Sequence, residues 1–379
     1  MVFTGHSIAP ALFALQAVPD DGREQPRNLP CPAKATSRHV PRCGRGFTLV
    51  ELLVVIVVAV LFLGVMIPAI DASREAARRN QCTMNQGRIG TAILAWHESH
   101  DRFPTGVGFS DEANGCASSK GFYFWTFTLL PWLGHADVAA MIGPQTWSGE
   151  PGTAESFRAF RETIPVYRCP SDTHVPITVP ALGIVDQTQS NYVGCFSPHG
   201  FAVEPEANVE CLAKHQRNGG QRTTANPTVL TTDPLRTRPG RAVFNFFGVE
   251  RSLDNVTDGA SRTIMLAERL AGNGDLSPRD GWWCEFGVQY SHARPPNWPG
   301  ADRYGGNGIS VIASKKPGKH GLEPGPGGWP GMLVAARSQH PGVVVATAAD
   351  GSVRTVRDDI NPDVWTALGS MDGGEGETP

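Results

Sequence analysis

Glu51 is the only ionisable residue between Phe47 and Ile70, in a run of otherwise apolar and small side chains. A carboxylate in hydrocarbon costs roughly 3 kcal/mol. Glu51 is therefore either a functional group or a side chain placed at the headgroup level, where it costs little. The basic segment Arg42-Cys43-Gly44-Arg45-Gly46 stands just before it. A second set of reactive residues is the eight cysteines, Cys31, Cys43, Cys82, Cys116, Cys169, Cys195, Cys211 and Cys284. None forms a CxxC pair, and the 11 histidines form no HxxxH pair, so neither spacing points to zinc. Six cysteines follow the apolar run, an even number that suits disulfides outside a membrane, and their spacing does not give the pairing. A third set is carboxylates in polar turns, Asp172, Asp258 and Asp350. Ca²⁺ is the one ion such turns could hold, but no EF-hand spacing of oxygens is present, and the expectation is no metal and no cofactor.

Other chemistry is not signalled. The chain has no GxSxG, no P-loop and no GxGxxG after a strand, so no enzyme is expected. The formal charge is −3. Residues 1–46 hold six basic and three acidic side chains, a balance of +3, which leaves −6 for the remainder. A mildly acidic body argues against nucleic acid as a partner.

The elements that position these residues follow from the hydrophobic pattern. Leu52–Ile70 lacks charge over a length that suits a membrane helix. It exceeds the usual apolar core of a secretory signal and lacks a small-x-small cleavage site. Pro68 removes one helix hydrogen bond and kinks or loosens the helix locally. The helical pattern continues through Asp71–His100 on a stripe of Ala72, Ala76, Ile89, Ile93, Leu94 and Trp96, and it ends before Phe103-Pro104. Arg74, Arg78 and Arg79 read as a solvated face or as side chains reaching toward headgroups. Val343–Ala348 and Val353–Val356 predict a hairpin about Asp350-Gly351, where glycine tolerates positive φ. His340 at its start reads as a backbone hydrogen-bonding group or, less simply, a ligand. Asp258-Gly259 reads as a turn into a strand ending at Glu268, and Glu268 and Arg269 read as forming buried ion pairs with partners elsewhere or an ordinary surface pair. Residues 217–241 and 293–331 read as long surface loops. The aromatics Trp282, Trp283, Tyr290, Trp298, Tyr304 and Trp329 pack in the core or, on a second reading, stack on sugar rings.

Arg45-Gly46-Phe47-Thr48-Leu49-Val50-Glu51-Leu52-Leu53 resembles the class III signal of type IV prepilins and type II secretion pseudopilins. The resemblance implies processing by a prepilin peptidase between Gly46 and Phe47, with N-methylation of Phe47. It also implies that Glu51 meets the terminal amine of a neighbouring subunit during assembly. In physical terms, each charge is costly in hydrocarbon unless the two meet.

Further landmarks resemble the DUF1559 (SBP_bac_10) family. They are the helix segment from Cys82 to Gly90, Trp125–Leu133, Cys169-Pro170-Ser171-Asp172 and Ser190-Asn191-Tyr192-Val193-Gly194. Asp258-Gly259 with Glu268-Arg269 follows, then His340 with Asp350-Gly351 in an H-x9-DG arrangement. Arg262 and Thr83-Met84 depart from the family pattern. The family implies no biochemical activity, and the role of its signature residues is left open. Cys82 on the helix and Cys169 before the Pro-Ser-Asp turn form the expected staple between helix and body. Cys195–Cys211 would close a short loop and Cys116–Cys284 would remain.

The expected architecture is α+β and type IV pilin-like: a long N-terminal helix packed on an antiparallel sheet with long loops, the sheet ending near Trp365–Leu368. Residues 1–46 would be a leader, over-long if translation starts at Val40. Residues 47–70 would be the transmembrane prepilin helix, 71–370 the extracytoplasmic domain and 371–379 a disordered tail. The functional expectation is a pilin-like or pseudopilin subunit of a type IV pilus or type II secretion-like filament. Its partners would be prepilin peptidase, other pilin-like subunits and the membrane. The alternative is a membrane-tethered extracytoplasmic binding module, with polysaccharide as the candidate ligand. The expected location is the bacterial inner membrane, single-pass, with filament or cell surface as further destinations.

Overall fold

The structure is a computed structural model that describes residues 47–109, 122–142, 154–179, 184–198, 241–245, 250–271, 281–283, 288–300, 302–304, 322–324 and 333–374. The chain divides into two units, residues 1–61 and 62–379.

The first helix, α1, spans Leu49–His100 with Pro68 inside it. In the first unit every described residue from Phe47 to Leu61 is exposed. α1 taken as a whole is long and apolar enough to cross a membrane. Its start is a capping box. Thr48 Oγ1 accepts the Glu51 N–H at 3.2 Å, and the Glu51 carboxylate accepts the Thr48 N–H at 2.9 Å and its hydroxyl at 3.0 Å.

In the second unit α1 docks late. Cys82, Asn85, Gln86, Ile89, Gly90, Ala92 and Ile93 are its buried residues. They recur at three- and four-residue intervals, one helical face. Ala72 and Ala76, expected on the apolar stripe, are exposed. The buried face opens instead with a cysteine and two amides, because their polar atoms find partners in the body.

The helix lies against a five-stranded sheet. Its members are β5 (Tyr192–Ser197), β6 (Ile264–Glu268), β7 (Gln289–Ser291), β10 (Val343–Ala348) and β11 (Val353–Arg357), in the order β11-β10-β6-β5-β7. Three two-stranded ribbons complete the β structure: β1 (Val107–Phe109) with β2 (Phe122–Phe124), β3 (Ile177–Val179) with β4 (Ile184–Gln187), and β8 (Asp302–Tyr304) with β9 (Leu322–Pro324). The hairpin β10–β11 forms about Asp350-Gly351 as its sequence predicts, with Val343 opposite Arg357 and Thr347 opposite Val353. The α+β reading holds, with one difference from an all-antiparallel sheet. The edge strand β7 joins β5 in parallel. The chain returns from the end at which β6 leaves, so β7 opposes β6 in direction and matches β5.

Residues 365–368, read as the end of the sheet, belong instead to a helix. Short helices are α2 (Trp125–Leu129), α3 (Ala136–Ile142), α4 (Ala154–Ala159) and α5 (Pro362–Leu368). Asn361 caps α5 by accepting the Asp363 N–H at 2.8 Å, with Pro362 in the first turn. This N-cap and proline pair is a start signal legible in the sequence. Met371 is fully buried, and Asp258 accepts the backbone N–H groups of Gly373 and Gly374. Residues 371–374 therefore pack on the body, contrary to the expected disordered tail.

Trp125, Trp282, Trp283 and Trp365 are fully buried among the core aromatics. Phe127 meets Trp282 edge-on at 5.6 Å, and Phe160 stacks on Trp283 at 5.4 Å. Each of the four indole N–H groups donates to an oxygen: Val288 O, Thr188 Oγ1, Thr188 O and Arg294 O, respectively. Trp282, Trp283 and Tyr290 are thus core residues, which removes the sugar-stacking reading for these three. Trp298 is half-buried, with the Arg294 guanidinium 4.9 Å over its ring. The side chain of Tyr304 and residue Trp329 lie outside the described residues.

Candidate functional site

Two places combine the reactive residues. The first is the start of α1. Phe47 is exposed, Thr48 and Glu51 form the capping box, and Gly46 lies outside the described residues, as do the Val40 start and the rest of 1–46. The capping box was open to sequence reasoning, since Thr48-x-x-Glu51 is its signature, and it assigns Glu51 a local partner besides any intermolecular one.

The second is a junction in the second unit, where segments far apart in sequence meet on α1. Cys82 on the helix is disulfide-bonded to Cys169, with Cα atoms 5.4 Å apart, as expected from the staple reading. Seven residues N-terminal to Cys82, Glu75 accepts from His340 Nδ1 at 2.5 Å. It also accepts from the Ser171 hydroxyl at 3.1 Å and pairs with Arg78 at 2.8 Å. The other ring nitrogen of His340, Nε2, faces Glu268 Oε1 at 3.3 Å and Cys169 Sγ at 3.5 Å. Glu268 Oε2 accepts the Val345 N–H at 2.8 Å. His340, Glu268, Cys82 and Cys169 are all buried.

Electrostatics favour the charged forms of His340 and Glu75. Burial opposes a proton on His340, but the carboxylates of Glu268 and Glu75 outweigh it and raise the imidazole above its ordinary value. Burial likewise opposes charge on Glu75. Hydrogen bonds from His340, Arg78 and Ser171 outweigh it and hold the carboxyl below its ordinary value. The simpler reading of His340, a backbone contact at the strand start, is replaced by a bridge between two carboxylates. Glu268 and Arg269 are both buried, and Glu268 pairs with His340.

The rest of the Cys-Pro-Ser-Asp turn is tied in beside it. Asp172 accepts from Asn191 Nδ2 at 2.7 Å and from the Ala271 N–H at 2.6 Å. Asn191 Oδ1 accepts the Cys169 N–H at 2.9 Å, and its Nδ2 donates to Arg269 O at 3.0 Å. Pro170 is exposed within the turn. The helix contributes Asn85, whose Nδ2 donates to Arg168 O at 3.0 Å. Asn85 and Asn191 are hubs that the apolar stripe did not single out; the Ser190-Asn191-Tyr192 segment was noticed only as a family landmark.

The hairpin carries the contact along α1. Gln86 donates to Val345 O at 2.7 Å and accepts from the Thr347 hydroxyl at 2.7 Å. Gly90 permits the close approach, since a Cβ there would stand 3.0 Å from Thr347 Cγ2. At the far end Gly351, at φ +82°, lies beside Leu94. Asp350 stabilises its own turn by accepting from the Ser352 N–H and hydroxyl. Its backbone N–H donates to Ala260 O, next to the Asp258-Gly259 turn, where Gly259 has φ +99°. Asp258, Gly259, Asp350 and Gly351 therefore form a pair of abutting turns, separate from the Cys169–Asp172 cluster. Each of the three turn aspartates is engaged by backbone or side-chain donors, Asp172 and Asp258 in tying segments together.

Cys195 does not close a loop with Cys211. It is a free, fully buried thiol, pushed up to about 12 by burial, while Cys211 lies outside the described residues. Cys116 and Cys284 also lie outside them.

Comparison with known proteins places both regions. No curated protein and no solved structure matches the chain. Residues 41–67 match the Prokaryotic N-terminal methylation motif, so the protein is type IV pilin-like at its N-terminus, with one helix among the described residues that is apolar and long enough to suit membrane anchoring. Residues 71–363, well over half of the chain and all of the segments that meet at the junction, match the Protein of unknown function (DUF1559) family, and the chain belongs to that family.

Proposed function

We propose that the protein is a pilin-like or pseudopilin subunit, cut by prepilin peptidase after Gly46, methylated at Phe47, and assembled into or beside a type IV pilus or type II secretion-like filament. The observation that carries this is the match over 41–67 to a methylation motif, on a helix whose first unit is exposed throughout its described length. Exposed apolar surface on that scale calls for lipid or for like helices. Glu51 has two roles in succession. Before cleavage it caps the helix through Thr48. After cleavage the new amine of Phe47 on a neighbouring subunit becomes the better partner, since a charged pair in hydrocarbon outcompetes a neutral N–H. The body then lies on the extracytoplasmic side of the inner membrane.

Intact mass and N-terminal sequencing of the membrane-associated protein test this reading. Methyl-Phe at residue 47 is the expected result. A chain starting at residue 1, or one cut near Ala72, overturns it. Glu51→Val should abolish the fibre while leaving the body folded. A fibre of normal abundance from that variant favours the monomeric, tethered binding module instead.

A further inference from the structure

The junction holds a donor set that the chain spacing conceals. Cys82, Cys169, Glu268 and His340 each offer one ligand atom, and the four atoms lie within 4.8 Å of one another. All four residues are buried. The orientation is that of ligands. His340 Nδ1 is held by Glu75 at 2.5 Å, which turns Nε2 toward Cys169 Sγ and Glu268 Oε1. A carboxylate on the remote nitrogen of a histidine is the usual outer-shell support of a metal-bound imidazole. Glu268 is held by the Val345 N–H through Oε2, leaving Oε1 aimed into the cluster toward His340 Nε2, 3.3 Å away.

We propose that the Cys82–Cys169 disulfide is one state of a redox-gated zinc site, in which the reduced cysteines, His340 Nε2 and Glu268 Oε1 coordinate one Zn²⁺. A dithiol reductant supplies two electrons. The Cys82–Cys169 S–S bond breaks, the reductant closes to its own disulfide, and two thiols form. As Zn²⁺ enters, each thiol loses its proton to solvent and each sulfur makes one metal bond. The sum is protein disulfide, dithiol and Zn²⁺ going to zinc dithiolate, oxidised reductant and two protons. A proton on His340 Nε2 leaves as well. Two thiolates, an imidazole and one carboxylate oxygen are a four-coordinate set suited to zinc. Burial of all four makes the site closed and structural. Either state joins α1 to the body, one by a covalent bond and one by the metal, so the connection survives a change of redox environment.

The test uses the full chain in detergent micelles. It is reduced with a phosphine, which does not compete for the metal, in the presence of Zn²⁺ or Co²⁺. The expected result is one metal equivalent more in the reduced than in the oxidised protein, with thiolate-to-cobalt charge-transfer absorption and retained near-ultraviolet dichroism from the buried tryptophans. Glu75→Gln, which touches no metal, should weaken uptake by about 10–100-fold. His340→Gln and Glu268→Gln should abolish that added equivalent. The proposal is overturned if reduction adds no metal, if the tryptophan signal is lost with zinc present, or if all three variants bind as the unmodified chain does. That last outcome would place the metal on the other cysteines. Filament assembly is not read in any arm, so these outcomes are separate from those of the N-terminal test.

Discussion

At the scale of single residues, removal of the His340 side chain should be costly. It bridges Glu75 and Glu268, and deleting one partner of a buried charge pair costs about 3–5 kcal/mol, since the other is left unpaired. His340→Gln is therefore expected to lower the thermal midpoint of the disulfide-bonded chain by several degrees. The pH dependence follows from the two shifts. His340 is raised, so its contribution is complete below the ordinary imidazole value of 6.5 and is lost as pH rises through the raised one. Glu75 is lowered, so its contribution is present above the ordinary 4.5 and is lost as pH falls through the depressed value. Stability should peak between these limits. A melting series across pH checks this, and His340→Gln should flatten the alkaline limb. An unmodified chain whose midpoint does not fall as pH rises through the alkaline range above the ordinary imidazole value would contradict the assignment.

At the scale of elements, the hairpin β10–β11 acts as a clamp along α1. His340, just ahead of β10, grips Glu75, the middle of β10 hydrogen-bonds Gln86, and the Asp350-Gly351 turn abuts Leu94. The H-x9-DG spacing thus sets the two ends of one docking surface. Gly351 is held there by two demands, since its φ is +82° and an added Cβ would stand 2.9 Å from Leu94 Cδ1. Gly351→Ala is expected to cost about 1–2 kcal/mol from the left-handed backbone alone. Urea unfolding followed by tryptophan fluorescence reads this as a lower midpoint at unchanged slope. The turn itself was legible from Asp-Gly between two β-rich runs. Its seat on the helix was not, because nothing local in residues 343–356 specifies a partner roughly 260 positions away.

At the scale of the whole molecule, the Cys82–Cys169 bond closes a loop with a sequence separation of 87 residues. A loop of that order constrains the unfolded chain by about 4–5 kcal/mol in the chain-entropy account. The double variant Cys82→Ser, Cys169→Ser should lose much of that in chemical unfolding. It should also free α1 for faster amide hydrogen exchange between residues 75 and 94. Exchange as slow as in the disulfide-bonded chain would show that the clamp alone holds the helix. The body's own aromatic core, with its four satisfied tryptophans, should keep more of its protection in the variant than α1 does.

What the amino-acid sequence determined by itself was local or one-dimensional. The apolar length of 47–70, its single carboxylate, the glycine before Phe47, the Asp-Gly turns and the strand runs each follow from neighbours within a few positions. The docked stripe was misjudged at Ala72 and Ala76. Helical period gives a face, and only partners decide where along it contact begins. The apolar pattern passes over Asn85, Gln86 and Asn191 for the same reason: a polar side chain is buried when a distant backbone meets its hydrogen-bonding capacity. Only the tertiary structure decided that Glu75, Cys82, Cys169, Glu268 and His340 share one site. Their separation along the chain carries no signal, while their donor atoms, brought together by a helix, a turn, a strand and the segment just ahead of β10, define its chemistry.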